Sequence, residues 1–141
     1  MSKILTLITA SSLLFITACS ATPPPAPGKY AAVSQCLTDK GVIMYGAYWC
    51  PHCAAQKKRF GTDFQYIHYQ ECDDKGSGGD HALCVKNKIT GYPTWIFPGQ
   101  GRLSGEQEVR NLAKLANCVD DLPQADQNLL KKETFNINLQ N

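Results

Sequence analysis

The stretch YGAYWCPHCAAQKKRF, Tyr45 to Phe60, decides how this chain is read. It begins at the end of an apolar run, VIMY (Val42–Tyr45), and closes in a basic segment. A short, continuous apolar run reads as a buried strand. Pro51 then falls in a first helical turn, where its missing N–H costs nothing, so CPHCAAQKKRF reads as a helix that Gly61 can end. Cys50 and Cys53 therefore sit one turn apart where a strand hands over to a helix. Such a pair can be a redox couple, part of a metal clamp, or a buried staple.

The metal reading is the poorest fit. Structural zinc takes four ligands, usually two C-x-x-C pairs or one pair with a distant pair of histidines. This chain has one C-x-x-C, and His52, His68 and His81 are scattered, so no metal and no other cofactor is expected. The redox reading suits the context better. Cys50 would meet the unpaired N–H groups and positive dipole end of a helix, which favour thiolate over thiol. The thiolate is the attacking species in disulfide exchange. Cys53, one turn deeper, would be shielded and placed to resolve the mixed disulfide. Trp49 would supply an apolar wall and Pro51 would stiffen the turn. His52 either donates to, or places positive charge near, the Cys50 sulfur, or it is a solvent-facing loop histidine with no electronic role.

Outward from this motif the elements are short. YAAVSQCLTDK (Tyr30–Lys40) forms a helix stopped by Gly41, and YIHYQ (Tyr66–Gln70) is a second strand. DDKGSGG is a loop by composition, after which Asp80 can cap a helix from His81 to about Ile89. TGYPTWIF gives a turn and a strand at Thr94–Phe97; PGQGR turns the chain and Leu103 closes a hairpin. Ser104 and Gln107 have capping-box spacing and open a helix with Val109, Leu112, Ala113 and Ala116 on one face. This order predicts an α/β domain with a central mixed sheet of about four strands and helices on its faces. The last twenty residues, 122–141, are polar and weakly patterned and read as a partly ordered tail.

Residues 1–18 read as an export signal: Lys3 precedes an apolar run, Ile4–Ile16, too short for a stable bilayer span. The run ends in ITAC, which resembles the lipobox of bacterial lipoproteins. That resemblance implies cleavage before Cys19, acylation of Cys19, and a lipid-anchored protein in the bacterial envelope facing the periplasm, with the outer membrane favoured by Ser20. Several acyl chains hold a protein durably on a membrane. Residues 19–29 carry Pro23, Pro24, Pro25 and Pro27 and form an extended spacer. The domain proper, 30–121, has room for one small core. With 14 Lys and Arg against 12 Asp and Glu, the chain is near neutral and its single basic cluster, QKKRF, is a solvated helix face, so nucleic acid is not expected as a partner. Seven cysteines less an acylated Cys19 leave an even six, in a compartment that permits disulfides.

Two further likenesses narrow the reading. C-P-H-C resembles the DsbA active site, which implies a strongly oxidising pair and a Cys50 pKa below about 6. GYPTW matches the cis-proline segment of thioredoxin-fold proteins, which implies that Pro93 faces the cysteines and leaves the Tyr92 backbone free to pair with a substrate strand. Together, YGAYWCPHC, YQEC, LCVKNKITGYPTWIF and LSGEQ resemble the thioredoxin-like domain associated with bacterial and plant homologues of vitamin K epoxide reductase, over roughly Val33–Ala116. The resemblance implies a thioredoxin-like fold, Cys50 as attacking and Cys53 as resolving cysteine, and a Cys72–Cys84 bridge. It also implies exported cysteine-containing proteins as substrates and a quinone-linked membrane protein as redox partner. Here that partner would be a separate chain. Where thioredoxin and DsbA carry a buried acid, this sequence has Met44.

Cys36 and Cys118 remain; they can bridge the first and last helices if both pack on one face, and are read as structural rather than as a shuttling pair. The expected activity is an exported thiol–disulfide oxidoreductase, acting as oxidase or isomerase. A reductase serving a narrow client is the alternative, and a copper-binding chaperone is the non-enzymatic one.

Overall fold

The computed structural model describes residues 26–139. The signal-like run, Cys19 and Pro23–Pro25 lie outside the described residues. Five α-helices and four strands follow in order: α1 (Ala31–Asp39), β1 (Ile43–Gly46), α2 (Pro51–Phe60), β2 (His68–Glu71), α3 (His81–Lys86), β3 (Thr94–Phe97), β4 (Gly101–Ser104), α4 (Val109–Ala116) and α5 (Gln124–Leu139). Turns of 3-10 helix span Gly61–Tyr66 and Val119–Asp121.

The strands form one mixed sheet in the order β2-β1-β3-β4. β1 runs parallel to β2 and antiparallel to β3, and β3 and β4 make an antiparallel hairpin. The parallel pair is joined by α2, the crossover that parallel strands require. Side chains alternate across the sheet, so each strand feeds two cores. Met44 lies opposite Trp95 and faces the larger core with Phe97. Ile43 lies opposite Ile96 and, with Tyr45, faces a smaller core containing Cys72 and Cys84. The larger core is closed by Val33 and Leu37 of α1, Cys53 and Phe60 of α2, and Val109, Leu112, Ala113 and Ala116 of α4. This four-stranded mixed sheet with helices on its faces is a thioredoxin-like arrangement, as the sequence predicts.

Two disulfides fasten the helices. Cys36 of α1 bonds to Cys118, just after α4, and Cys72, just after β2, bonds to Cys84 of α3. A buried carboxylate fastens the entry to the domain: Asp63 accepts the Gly28 N–H at 2.6 Å and the Tyr30 N–H at 2.9 Å.

Four boundaries differ from the sequence reading. β2 starts at His68 because Tyr66 is taken into the 3-10 turn that follows Gly61, a glycine at φ 61°. α3 stops at Lys86 because Lys88 adopts φ 55°. The proposed Ser104–Gln107 capping box does not form: Ser104 ends β4, and α4 begins at Val109. Gln107 is instead held by the buried Gln56 of α2, donating its N–H to Gln56 Oε1 at 2.6 Å while its carbonyl accepts from Gln56 Nε2 at 3.0 Å. The polar tail carries the α5 helix. Leu122 and Leu130 pack on the larger core, and Asp126 between them faces Arg110 at 3.6 Å. A stripe interrupted by a carboxylate has little apolar periodicity, and the Arg110 partner offsets the cost of burying that carboxylate.

The Cys36–Cys118 bridge spans 82 residues and the Cys72–Cys84 bridge spans 12. Loop-closure entropy predicts that Cys36→Ser with Cys118→Ser lowers unfolding free energy by about 4 kcal/mol, and Cys72→Ser with Cys84→Ser by about 3 kcal/mol. Denaturant unfolding of the two double variants checks this; losses under about 1 kcal/mol in both would contradict it.

Candidate active site

The site forms where three chain segments meet at one end of the sheet. β1 delivers the chain through Ala47, Tyr48 and Trp49 to Cys50, the N-cap of α2. Pro51 occupies the first helical position. The Cys50 sulfur accepts the Cys53 backbone N–H at 3.4 Å, so the sulfur itself takes the capping role that an oxygen usually fills. Across from it, the Tyr92–Pro93 peptide bond is cis, and the Tyr92 carbonyl oxygen lies 3.7 Å from Cys50 Sγ. Cys50 and Cys53 are not disulfide-bonded.

The two sulfurs are more enclosed than the sequence suggests. Cys50, although it stands at the helix start, is only 5% exposed, against 1% for Cys53. The segment carrying Tyr92 lies against the helix start, the Tyr92 carbonyl oxygen 3.7 Å from Cys50 Sγ. Cys50 keeps slightly more exposure than Cys53, and both belong to the larger core. Burial pushes the Cys53 thiol up to about 12, and the neighbouring Cys50 adds to the rise, while the Ala47 backbone and Lys57 pull the other way. Cys53 is thus a thiol at neutral pH.

Of the two readings of His52, the structure shows the solvent-facing one, with a carboxylate beside the ring. His52 is 68% exposed and its Nδ1 pairs with Glu106 Oε1 at 2.8 Å, so its hydrogen-bond partner is a carboxylate on the loop before α4 and not the Cys50 sulfur. Glu106 also faces Arg59 at 3.4 Å, and the His52 hydrogen bond and Arg59 hold its carboxyl below the usual range. Trp49 is 57% exposed and stands edge-on to Tyr92, with ring centres 6.0 Å apart. Its indole N–H donates to Asp73 Oδ2 at 2.8 Å, which helps hold the Asp73 carboxyl low after the Lys75 N–H. Trp49 and Tyr92 line a cleft of about 320 Å³ with Cys72, Asp73, Lys75 and His81. The Cys72–Cys84 disulfide therefore lies against this cleft; Cys36–Cys118 lies with α1 and α4, away from it.

Sequence reasoning missed what lies beneath the site. Met44 is fully buried, with no ionisable group to offer. A different strand supplies one. Tyr69 and Glu71 of β2 are two residues apart, hence on one face, and the Tyr69 hydroxyl donates to Glu71 Oε2 at 2.8 Å. Glu71 is 4% exposed. Gly46 makes room for this pair: a Cβ there would lie 2.8 Å from Cys53 Sγ and 2.9 Å from Tyr69 Cε2. The usable signal was the polar Tyr-x-Glu alternation beside a strand ending in glycine.

The Cys53 shift has a consequence for stability. An unfolded cysteine ionises near 9, whereas the folded Cys53 holds its proton to about 12. Between those values the unfolded state binds fewer protons, so stability falls as pH rises, by up to about 1.4 kcal/mol per unit. Reduced wild-type protein should therefore lose stability between pH 9 and 11 more steeply than reduced Cys53→Ala, with the buried tyrosines common to both. Equal slopes in pH-dependent denaturant unfolding would contradict the burial of this thiol.

No family model matches the chain. Over 88 residues the chain is 40% identical to a protein of Arabidopsis thaliana named thiol-disulfide oxidoreductase LTO1. The alignment covers 60% of this chain and 23% of the plant protein, so the chain spans about a quarter of that relative's length.

Proposed function

We propose that the protein is a thiol–disulfide oxidoreductase that exchanges disulfides with exported cysteine-containing proteins through Cys50 and Cys53. The observation that carries this is the juxtaposition of a capped, narrowly accessible Cys50 sulfur, a buried Cys53 thiol one turn behind it, and the Tyr92–Pro93 cis peptide 3.7 Å away. The plant relative's name supports the same reaction class.

In the reducing direction, Cys50 attacks one sulfur of a client disulfide. A mixed Cys50–client disulfide forms and the second client sulfur leaves as thiolate. Cys53 then attacks Cys50, the mixed disulfide breaks, and a Cys50–Cys53 disulfide remains; the client has gained the two electrons that the pair has lost. In the oxidising direction the same steps run backwards. The α2 N-terminus, with Cys53 N–H on the sulfur, stabilises negative charge on Cys50 in both directions. The cleft between Trp49, Tyr92 and Asp73 gives a client segment an apolar wall and a carboxylate rim beside the reacting sulfur.

The C-P-H-C sequence favours the oxidase or isomerase direction over a narrow-client reductase. Export, an acyl anchor on Cys19 and a proline-rich spacer would keep the domain at the envelope membrane on its periplasmic side, where a separate quinone-linked membrane protein would reoxidise it. Export, anchor and spacer rest on the sequence of residues 1–29, and the redox partner on the family resemblance over roughly Val33–Ala116. No helix among the described residues is long and apolar enough to cross a membrane.

Trapping tests the exchange directly. Cys53→Ala cannot resolve a mixed disulfide, so it should accumulate client proteins on Cys50 that reducing agent releases, and Cys50→Ala with Cys53→Ala should accumulate none. Equal adducts in both variants would overturn the proposal. A redox titration of the pair separates the directions: a potential close to −120 mV fits an oxidant and one close to about −270 mV a reductase. Incorporation of labelled palmitate, lost in Cys19→Ala, tests the anchor.

A further inference from the structure

Any thiol exchange at this site meets an obstacle. Cys53 must become a thiolate to attack, yet it is buried, protonated at neutral pH, and has the apolar Met44 beneath it on β1. Bulk water reaches it poorly at 1% exposure. A proton acceptor inside the fold is needed.

We infer that Tyr69 and Glu71 form a proton relay that serves Cys53, with the Tyr69 hydroxyl as the conducting group and Glu71 as the acceptor. The inference rests on the exchange reaction proposed above and names the residues that complete it. Four observations support it. The Tyr69 hydroxyl donates to Glu71 Oε2, so the carboxylate can accept a proton without rearrangement. The point where a Gly46 Cβ would sit is 2.8 Å from Cys53 Sγ and 3.2 Å from the Tyr69 hydroxyl, so sulfur and hydroxyl border the same point, close enough for one water to bridge them. Glu71 faces inward at the end of β2, opposite Gly46 in the β1–β2 register, with no cationic side chain paired to it among the described residues. Its other carboxylate oxygen, Oε1, accepts the Asp73 N–H at 3.0 Å, which fixes it without neutralising it.

The charged and titratable groups around the relay are few. Lys57 of α2 lies 3.7 Å from the Tyr69 ring centre. Cys50 and Cys53 face the relay from the same helix, Tyr92 from the cis-proline segment, and Asp73 from the loop after β2. The Tyr69 phenol is held far above its ordinary range by burial and by Glu71, so Tyr69 passes a proton along and does not stand as a phenolate.

The step balances as follows. In the mixed disulfide, Cys53 gives its proton to the Tyr69 oxygen while Tyr69 gives its own to Glu71. The Cys53 thiolate attacks Cys50 Sγ, the Cys50–Cys53 bond forms, and the Cys50–client bond breaks. The departing client thiolate takes a proton from solvent, and Glu71 releases its proton to solvent. In the oxidising direction the proton returns from Glu71 through Tyr69 to the Cys53 thiolate as it is expelled.

The reduced protein reacting with 5,5′-dithiobis(2-nitrobenzoate) separates the relay from the underlying activity. Attack by Cys50 releases a first thionitrobenzoate, and resolution by Cys53 releases a second. Tyr69→Phe and Glu71→Gln are each expected to slow the second phase at pH 7 by about tenfold or more while leaving the first within about twofold. The second phase of both variants should also steepen towards about tenfold per pH unit, closing on wild type as pH approaches 10. Tyr69→Phe keeps the ring that packs under Lys57, so it isolates the hydroxyl from the fold. A second phase within twofold of wild type in Tyr69→Phe, or both phases slowed alike, would overturn the relay. A missing first phase in wild type would instead overturn the exchange reaction itself.

Discussion

The close approach at Gly46 governs the rest of this structure. Only a residue without a side chain lets Cys53 and Tyr69 press against the same point of β1. That contact buries Cys53, sets α2 against the sheet, and leaves Cys50 at the helix start beneath the Tyr92–Pro93 segment. The helix start, the cis-proline segment and the strand end are thus one packing unit. The chemistry proposed for the pair follows from that asymmetry: two cysteines of the same type, three positions apart, are given different environments by one turn of helix.

The surrounding contacts hold this unit in place. Gln56, fully buried in α2, clasps the backbone of Gln107 from both sides and so ties the loop before α4 to α2. Arg59 bridges Glu106 and Glu108 on that loop, and His52 joins the same group. On the opposite side, Trp49 reaches Asp73, whose loop also covers Glu71. The disulfides act further out, one linking α1 to the end of α4 and one linking β2 to α3. Short helices and four-residue strands bury limited area in a domain of this size. The cross-links offset that shortage.

Much of this was legible in the sequence because its signals are local. The strand–C-P-H-C–helix order, the Thr94–Phe97 strand and the amphipathic stripe at Val109, Leu112, Ala113 and Ala116 are written in adjacent residues. What the sequence did not give depends on contacts across the fold. Asp126 looks like a break in a weak helix until Arg110 is found beside it. Gln107 has capping-box spacing, but Gln56, 51 positions away, takes its backbone. His52 sits between the cysteines in the chain, yet Glu106 draws its ring to the loop before α4. Tyr69 and Glu71 gain their significance only when β2 aligns beside β1.

The central claim is a division of labour between the two sulfurs, one at the helix start and the other sealed one turn behind it and protonated. Brief alkylation of the reduced, folded protein at neutral pH, followed by mass spectrometry of the peptides carrying Cys50 and Cys53, reads it directly. The account predicts label on Cys50 at least about tenfold faster than on Cys53. Equal rates, or faster labelling of Cys53, would contradict it.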